Sequence, residues 1–86
     1  MGMNKLKFTL KLFASFREAF GNSSVEYEMP EGSTAGDLVE EVLTTFPSLE
    51  RFRGHVVVTI NKQSVSPEIK VEEGDEVSIL PPVSGG

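Results

Sequence analysis

One stretch limits the fold more than any other. In "STAGDLVEEVLTTFP", residues 33–47, Ala35, Leu38, Val39, Val42, Leu43 and Phe46 fall at i, i+3, i+4, i+7, i+8 and i+11. That spacing draws one continuous apolar stripe down an α-helix. Thr34 and Asp37 have the spacing of a capping box, and Pro47 stops the helix from running on. No other segment carries a stripe of this length. A single helix must therefore cover whatever apolar surface the rest of the chain presents.

Most of the remainder has period two. In "KLKFTLKLF", Leu6, Phe8, Leu10 and Leu12 alternate with Lys5, Lys7, Thr9 and Lys11, which predicts a strand with one buried face. "ASFREAFG" follows, with Phe16, Ala19 and Phe20 at helical spacing. Ser15 and Glu18 read there as a capping pair and Gly21 as the residue past the end, giving a helix of about two turns. "SVEYEMP" turns Val25, Tyr27 and Met29 inward and Glu26 and Glu28 outward, and Pro30 closes it. After the long helix, "SLERFRGH" reads as a loop or short helical turn and "VVVTIN" as a strand. "KQSVSPEI" holds a turn and a short edge strand near Pro67. A turn at Glu73, Gly74 and Asp75 leads into a last strand, Glu76 to Leu80.

This order predicts an α+β fold of two layers, a mixed sheet of four to five strands under one main helix. It suits the β-grasp, in which the first and last strands lie side by side at the centre. A ferredoxin-like arrangement would need a second long helix before the last strand, and "SLERFRGH" is too short and too poorly patterned for one. With 86 residues there is room for one core only. The expected boundaries are a β-grasp domain over 1–80 and a flexible C-terminal tail over 81–86.

Composition narrows the function. Thirteen acidic and eight basic side chains give a net charge of −5, which disfavours nucleic acid as a partner and favours a basic docking surface on a protein partner. There is no cysteine, so disulfides, zinc-thiolate sites and a catalytic thiol are excluded, and a cytoplasmic location is the expectation. No run approaches the roughly 20 apolar residues of a membrane span. The lone His55 has no nucleophile arranged around it, and Glu72, Glu73, Asp75 and Glu76 lack the ligand alternation of a calcium loop. "EGSTAG" has neither the spacing nor the lysine of a phosphate-binding loop. No metal site and no self-contained active site is expected.

The last residues, "LPPVSGG", are different. The carboxylate of Gly86 is ionised at neutral pH, its reference pKa being about 3.3–3.7. Gly86 bears no side chain and Gly85 removes the next Cβ, so this end fits a narrow channel. Pro81 and Pro82 lack N–H groups and have fixed φ, which stops the last strand and lowers the entropy lost on ordering. The segment reads as a half-stiffened stalk with a thin tip.

These residues resemble the MoaD/ThiS group of ubiquitin-like sulfur carriers, the MoaD side most of all. "KLFASFREAFG" (11–21), "EGSTAGDLVEEV" (31–42), "VTINKQSV" (58–65) and "EEGDEVSILPPVSGG" (72–86) follow the group's order of elements. The resemblance implies activation at Gly86. An E1-like adenylating enzyme of the MoeB/ThiF type would use ATP and magnesium to make an acyl-adenylate. A sulfur donor protein would then supply the sulfur of a thiocarboxylate. The end would finally enter a MoaE-type large subunit of molybdopterin synthase, with Gly85, Ser84, Val83, Pro82 and Pro81 in the channel. The chain itself would bind no cofactor and would be a carrier rather than an enzyme. Where the group often has an aromatic residue before the proline pair, this chain has Leu80, which keeps an apolar contact.

Counting along the strands predicts a docking patch. If Leu6 to Leu12 face the helix, Phe13 falls on the opposite face; likewise Val77 and Ile79 point inward and Leu80 outward. Phe13, Leu80 and Val57 then form an apolar group where a partner would sit. Phe13 turning into the core is the competing arrangement. Other recipients fit the same chemistry: thiazole synthesis, tRNA thiolation, or lysines modified by conjugation. A non-catalytic β-grasp binding module with an inert tail is the alternative of a different class.

Overall fold

The computed structural model describes residues 4–81. β1 (Lys5–Leu12) is followed by α1 (Ala14–Phe20), β2 (Ser24–Pro30), α2 (Ala35–Thr45) and a 3-10 segment (Pro47–Phe52). β3 (Val57–Ile60), β4 (Gln63–Val65) and β5 (Glu76–Leu80) complete the order. The five strands make one sheet in the order β2-β1-β5-β3-β4. The first and last strands are parallel neighbours, Thr9 pairing with Glu76 and Leu12 with Ile79. The other pairings are antiparallel: β1 with β2, β3 with β5, and β3 with β4. This is the ubiquitin-like β-grasp that the pattern predicts.

The core lies between the sheet and α2. Leu6, Phe8, Leu10 and Leu12 of β1 are buried, as are Val77 and Ile79 of β5 and Val58 of β3. From the other side come Ala35, Leu38, Val42 and Leu43 of α2, closed off by Phe16 of α1 and Leu49. Fully burying one such side chain contributes about 1.5–3 kcal/mol, so the stripe on α2 and the alternation on β1 dominate the fold.

Start signals divide into one that works as read and one that does not. At α2 the Thr34 hydroxyl accepts from the Asp37 amide at 3.1 Å, and the Asp37 carboxylate accepts from the Thr34 amide at 3.0 Å. At α1 the expected Ser15–Glu18 pair is corrected. The helix begins at Ala14, Phe13 is its N-cap, and no side chain caps it. The Phe13 carbonyl accepts from the Phe16 and Arg17 amides, so Ser15 lies inside the first turn, where it has no capping position to fill. Gly21 ends α1 with φ 81°, the left-handed conformation that glycine adopts without penalty. Ser48 and its neighbours form the 3-10 segment, with Pro47 in its first turn.

Candidate functional site

β1 and β5 run parallel at the middle of the sheet and end together, which places the site. Leu12 pairs with Ile79, so the next residues along the two strands are Phe13 and Leu80. Across β5, Leu80 pairs with Val57. The alternation keeps Leu12 and Ile79 inside and leaves Phe13 42% and Val57 45% exposed. Leu80 and Pro81 are half-buried between them. Phe13 is not among the core residues, and the alternation that buries Leu12 directs it to the face opposite α2. Three apolar side chains thus collect at the point where the chain leaves the sheet. Pro82, Val83, Ser84, Gly85 and Gly86 lie outside the described residues.

The sheet face beside this patch is charged and carries two ion pairs. Lys7 meets Glu28 at 3.6 Å and Lys11 meets Glu76 at 3.4 Å, on neighbouring strands and largely exposed. Such pairs contribute little to stability. The acidic turn before β5 is occupied with holding the chain. Glu73 accepts from the Lys7 amide at 2.9 Å, and Asp75 accepts from the Glu72 amide at 2.8 Å and the Asn61 side chain at 3.1 Å. Among the described residues no group of three His, Cys, Asp or Glu is placed to hold a metal ion. His55 is exposed, and its backbone amide donates to Phe52 at 2.8 Å.

Three features escape sequence reasoning. Arg53 donates to both Glu50 oxygens, at 2.5 and 3.0 Å, and to Glu40 on α2. Its hydrogen bond holds the Glu50 carboxyl below the usual range. The Glu50–Arg53 spacing of three was visible in the chain; Glu40 was not, because only the fold brings it near. Beside this network an apolar groove of about 400 Å³ opens between α2 and β3, lined by Val39, Leu43, Val56, Val58 and Val65. On the opposite edge, Tyr27 donates to Glu41 at 2.6 Å. Burial first, and then that bond and the nearby negative charge, push its ionisation well above the ordinary tyrosine range.

The model of the ThiS family matches residues 10–86. The chain belongs to the ThiS family. Among its relatives, the molybdopterin synthase sulfur carrier subunit of Arabidopsis thaliana is 36% identical over 96% of this chain and 86% of its own length. The protein of the same name from Chlamydomonas reinhardtii is 34% identical, covering 86% of this chain and 92% of its own. In structure, the small archaeal modifier protein 1 of Haloferax volcanii superposes with a TM-score of 0.75 at 26% identity, over 91% of this chain and 99% of that one. As a member of the ThiS family the chain shares the ubiquitin-like fold of these neighbours, and the apolar patch stands at the last described residues of that fold.

Proposed function

We propose that this chain is a sulfur carrier for molybdopterin synthesis, activated at the carboxylate of Gly86. One observation carries the reading. The last strand is locked at the sheet centre by Val77 and Ile79, both fully buried, and it delivers the chain to Pro81 at an exposed apolar patch. Residues 1–80 are then the body that docks, and 81–86 the segment that reacts. Fully extended, six residues reach about 20 Å, enough to enter a partner's channel while Phe13, Val57 and Leu80 rest on its surface. The names of the Arabidopsis and Chlamydomonas relatives support the same role.

The chemistry follows from what a carboxylate lacks. Its oxygen is a poor leaving group, so sulfur cannot replace it directly. In the E1-like adenylating enzyme, a Gly86 oxygen attacks the α-phosphorus of ATP and pyrophosphate departs. The partner's magnesium and cationic groups position the triphosphate and offset its charge. Sulfide-level sulfur (HS−) furnished by the donor protein then attacks the carbonyl carbon, the C–O bond to AMP breaks with AMP leaving on its phosphate oxygen, and loss of the S–H proton leaves the thiocarboxylate. That end enters the large subunit of the synthase, where its sulfur attacks the pterin and water then cleaves the C–S bond, returning the Gly86 carboxylate. With no cysteine in the chain, Gly86 is the attachment point. We place this ATP-dependent activation in the cytoplasm.

Mass spectrometry of the protein purified from its own cell tests this, with a gain of one oxygen-to-sulfur exchange at Gly86 expected. Deleting Gly85 and Gly86 is expected to abolish ATP–pyrophosphate exchange by the adenylating enzyme. Unchanged exchange would end the proposal. The likeness to a protein named as a modifier favours one second reading, conjugation to lysines. Isopeptide-linked products in the same cells, with no thiocarboxylate, would select it.

A further inference from the structure

Three residues other than glycine have positive φ among those described: Ala14 at 52°, Asn61 at 52° and Lys62 at 73°. Asn61 and Lys62 are the two central residues of the β3–β4 hairpin, where Ile60 pairs with Gln63, and such a turn needs φ > 0 at both. No hairpin accounts for Ala14. A left-handed backbone costs an L-residue a sizeable fraction of a small domain's stability, and it persists only where the surroundings fix it.

The surroundings are plain. On one side Leu12 is buried at the end of β1, and its amide donates to Ser23 at 2.9 Å. On the other, Phe16 is fully buried, and its amide donates to the Phe13 carbonyl at 3.0 Å. The chain has three residues in which to leave the sheet and enter α1. Phe13 keeps an extended backbone, φ −132° and ψ 150°, so the reversal falls on Ala14. Because Phe13 continues the strand geometry, its side chain takes the outward direction that follows Leu12. Ala14 is itself exposed, so its side chain packs against nothing that would explain the strain.

We propose that Ala14 is a positioning residue for partner docking: its left-handed backbone turns the chain within one residue and holds the Phe13 ring outward beside Leu80 and Val57. This rests on the carrier reading above and extends it: the same patch also docks on the adenylating enzyme, which must receive the same chain end. A β-branched residue resists the left-handed region more than alanine does, so Ala14→Val drives the corner toward negative φ and swings Phe13 off the patch. Glycine adopts the same conformation freely, so Ala14→Gly keeps the ring in place.

Steady-state adenylation by the purified E1-like enzyme is the assay, with this protein as the varied substrate. Ala14→Val is expected to raise KM about tenfold with kcat unchanged, the signature of lost docking with intact chemistry. In a Phe13→Ala background the same substitution is expected to change KM by less than about twofold, because the group it positions is gone. Ala14→Gly is expected to keep KM and to raise the folding equilibrium constant about threefold, relief of strain exceeding the cost of a looser unfolded chain. That variant decides the matter if Ala14→Val does not fold. An undiminished KM effect in the Phe13→Ala background, or a fall in stability with glycine, overturns the proposal while leaving the carrier reading intact. Absence of adenylation in the parent protein removes the carrier reading instead, and the docking role with it.

Discussion

Gly36 sits in the first turn of α2, where helix propensity and packing pull in opposite directions. Alanine exceeds glycine by roughly 1 kcal/mol inside a helix, so on propensity alone Gly36→Ala stabilises. The structure says otherwise. A Cβ at position 36 would lie 3.1 Å from Pro67 Cβ and 3.2 Å from the Pro67 carbonyl oxygen. That carbonyl cannot retreat cheaply, because it accepts the Gly36 amide at 2.8 Å. Two residues on, the Ile69 carbonyl accepts the Ala35 amide at 2.8 Å, so the segment from Pro67 to Ile69, a strap across the start of α2, is fixed at both points. Overpacking of this kind costs about 1–3 kcal/mol, and lengthening the hydrogen bond adds up to about 1 kcal/mol. Against the propensity gain, the net is a loss of about 0–3 kcal/mol, with its middle corresponding to a fall in Tm on the order of 5–10 °C for a domain of this size. Thermal unfolding followed by circular dichroism measures it. Amide exchange at residue 36 should quicken in the variant, since its acceptor is displaced. A Tm raised by the substitution would refute the reasoning, for it would mean that the strap yields freely and only propensity counts.

Other consequences are smaller or more local. Thr34→Ala removes one half of the α2 capping box and is expected to cost about 1 kcal/mol in denaturant unfolding, while Thr34→Ser costs much less. Glu50 should titrate by NMR below the ordinary glutamate range, and Arg53→Gln should return it upward, since the Arg53 hydrogen bond is the main cause. The sign follows: whatever stability this pair contributes is present at neutral pH and is lost as pH falls through the lowered Glu50 value. Phe13→Ser with Leu80→Ser is expected to weaken binding to the adenylating enzyme while leaving a cooperative melt. A collapsed melting transition would mean these side chains belong to the core.

What could be read from the chain was whatever repeats locally. The stripe from Ala35 to Phe46 and the alternation from Leu6 to Leu12 each encode one face of one element, and together they fix the layers. The exposure of Phe13 followed from the same counting, because side chains alternate across a strand without regard to distant partners. The start of α1 was not legible. Ser15 and Glu18 have capping spacing, but the first turn is set by the backbone at Phe13 and Ala14, which side-chain pattern does not report. Gly36 belongs to the same class: its glycine fits the close approach of Pro67, thirty-one residues along the chain, and nothing adjacent to it in sequence signals that contact. Glu40 and the groove beside it likewise exist only once α2 lies over β3.

The position of the last strand also bears on how a partner can use the end of the chain. An edge strand such as β4, three residues long and bonded on one side, would peel if the residues beyond it were drawn into a channel. β5 is bonded on both sides, in parallel to β1 and antiparallel to β3, and Val77 and Ile79 are fully buried beneath it. Fraying it by even two residues breaks both ladders and exposes a core side chain, at about 1.5–3 kcal/mol for that side chain alone. Pro81, which has no N–H to offer either neighbour, keeps the ladders from running further. The two ladders therefore end at one place, next to Phe13 and Val57. Under the carrier role proposed above, a partner that grips this patch would receive the following segment at a fixed origin, so the fold would set where the reactive end begins.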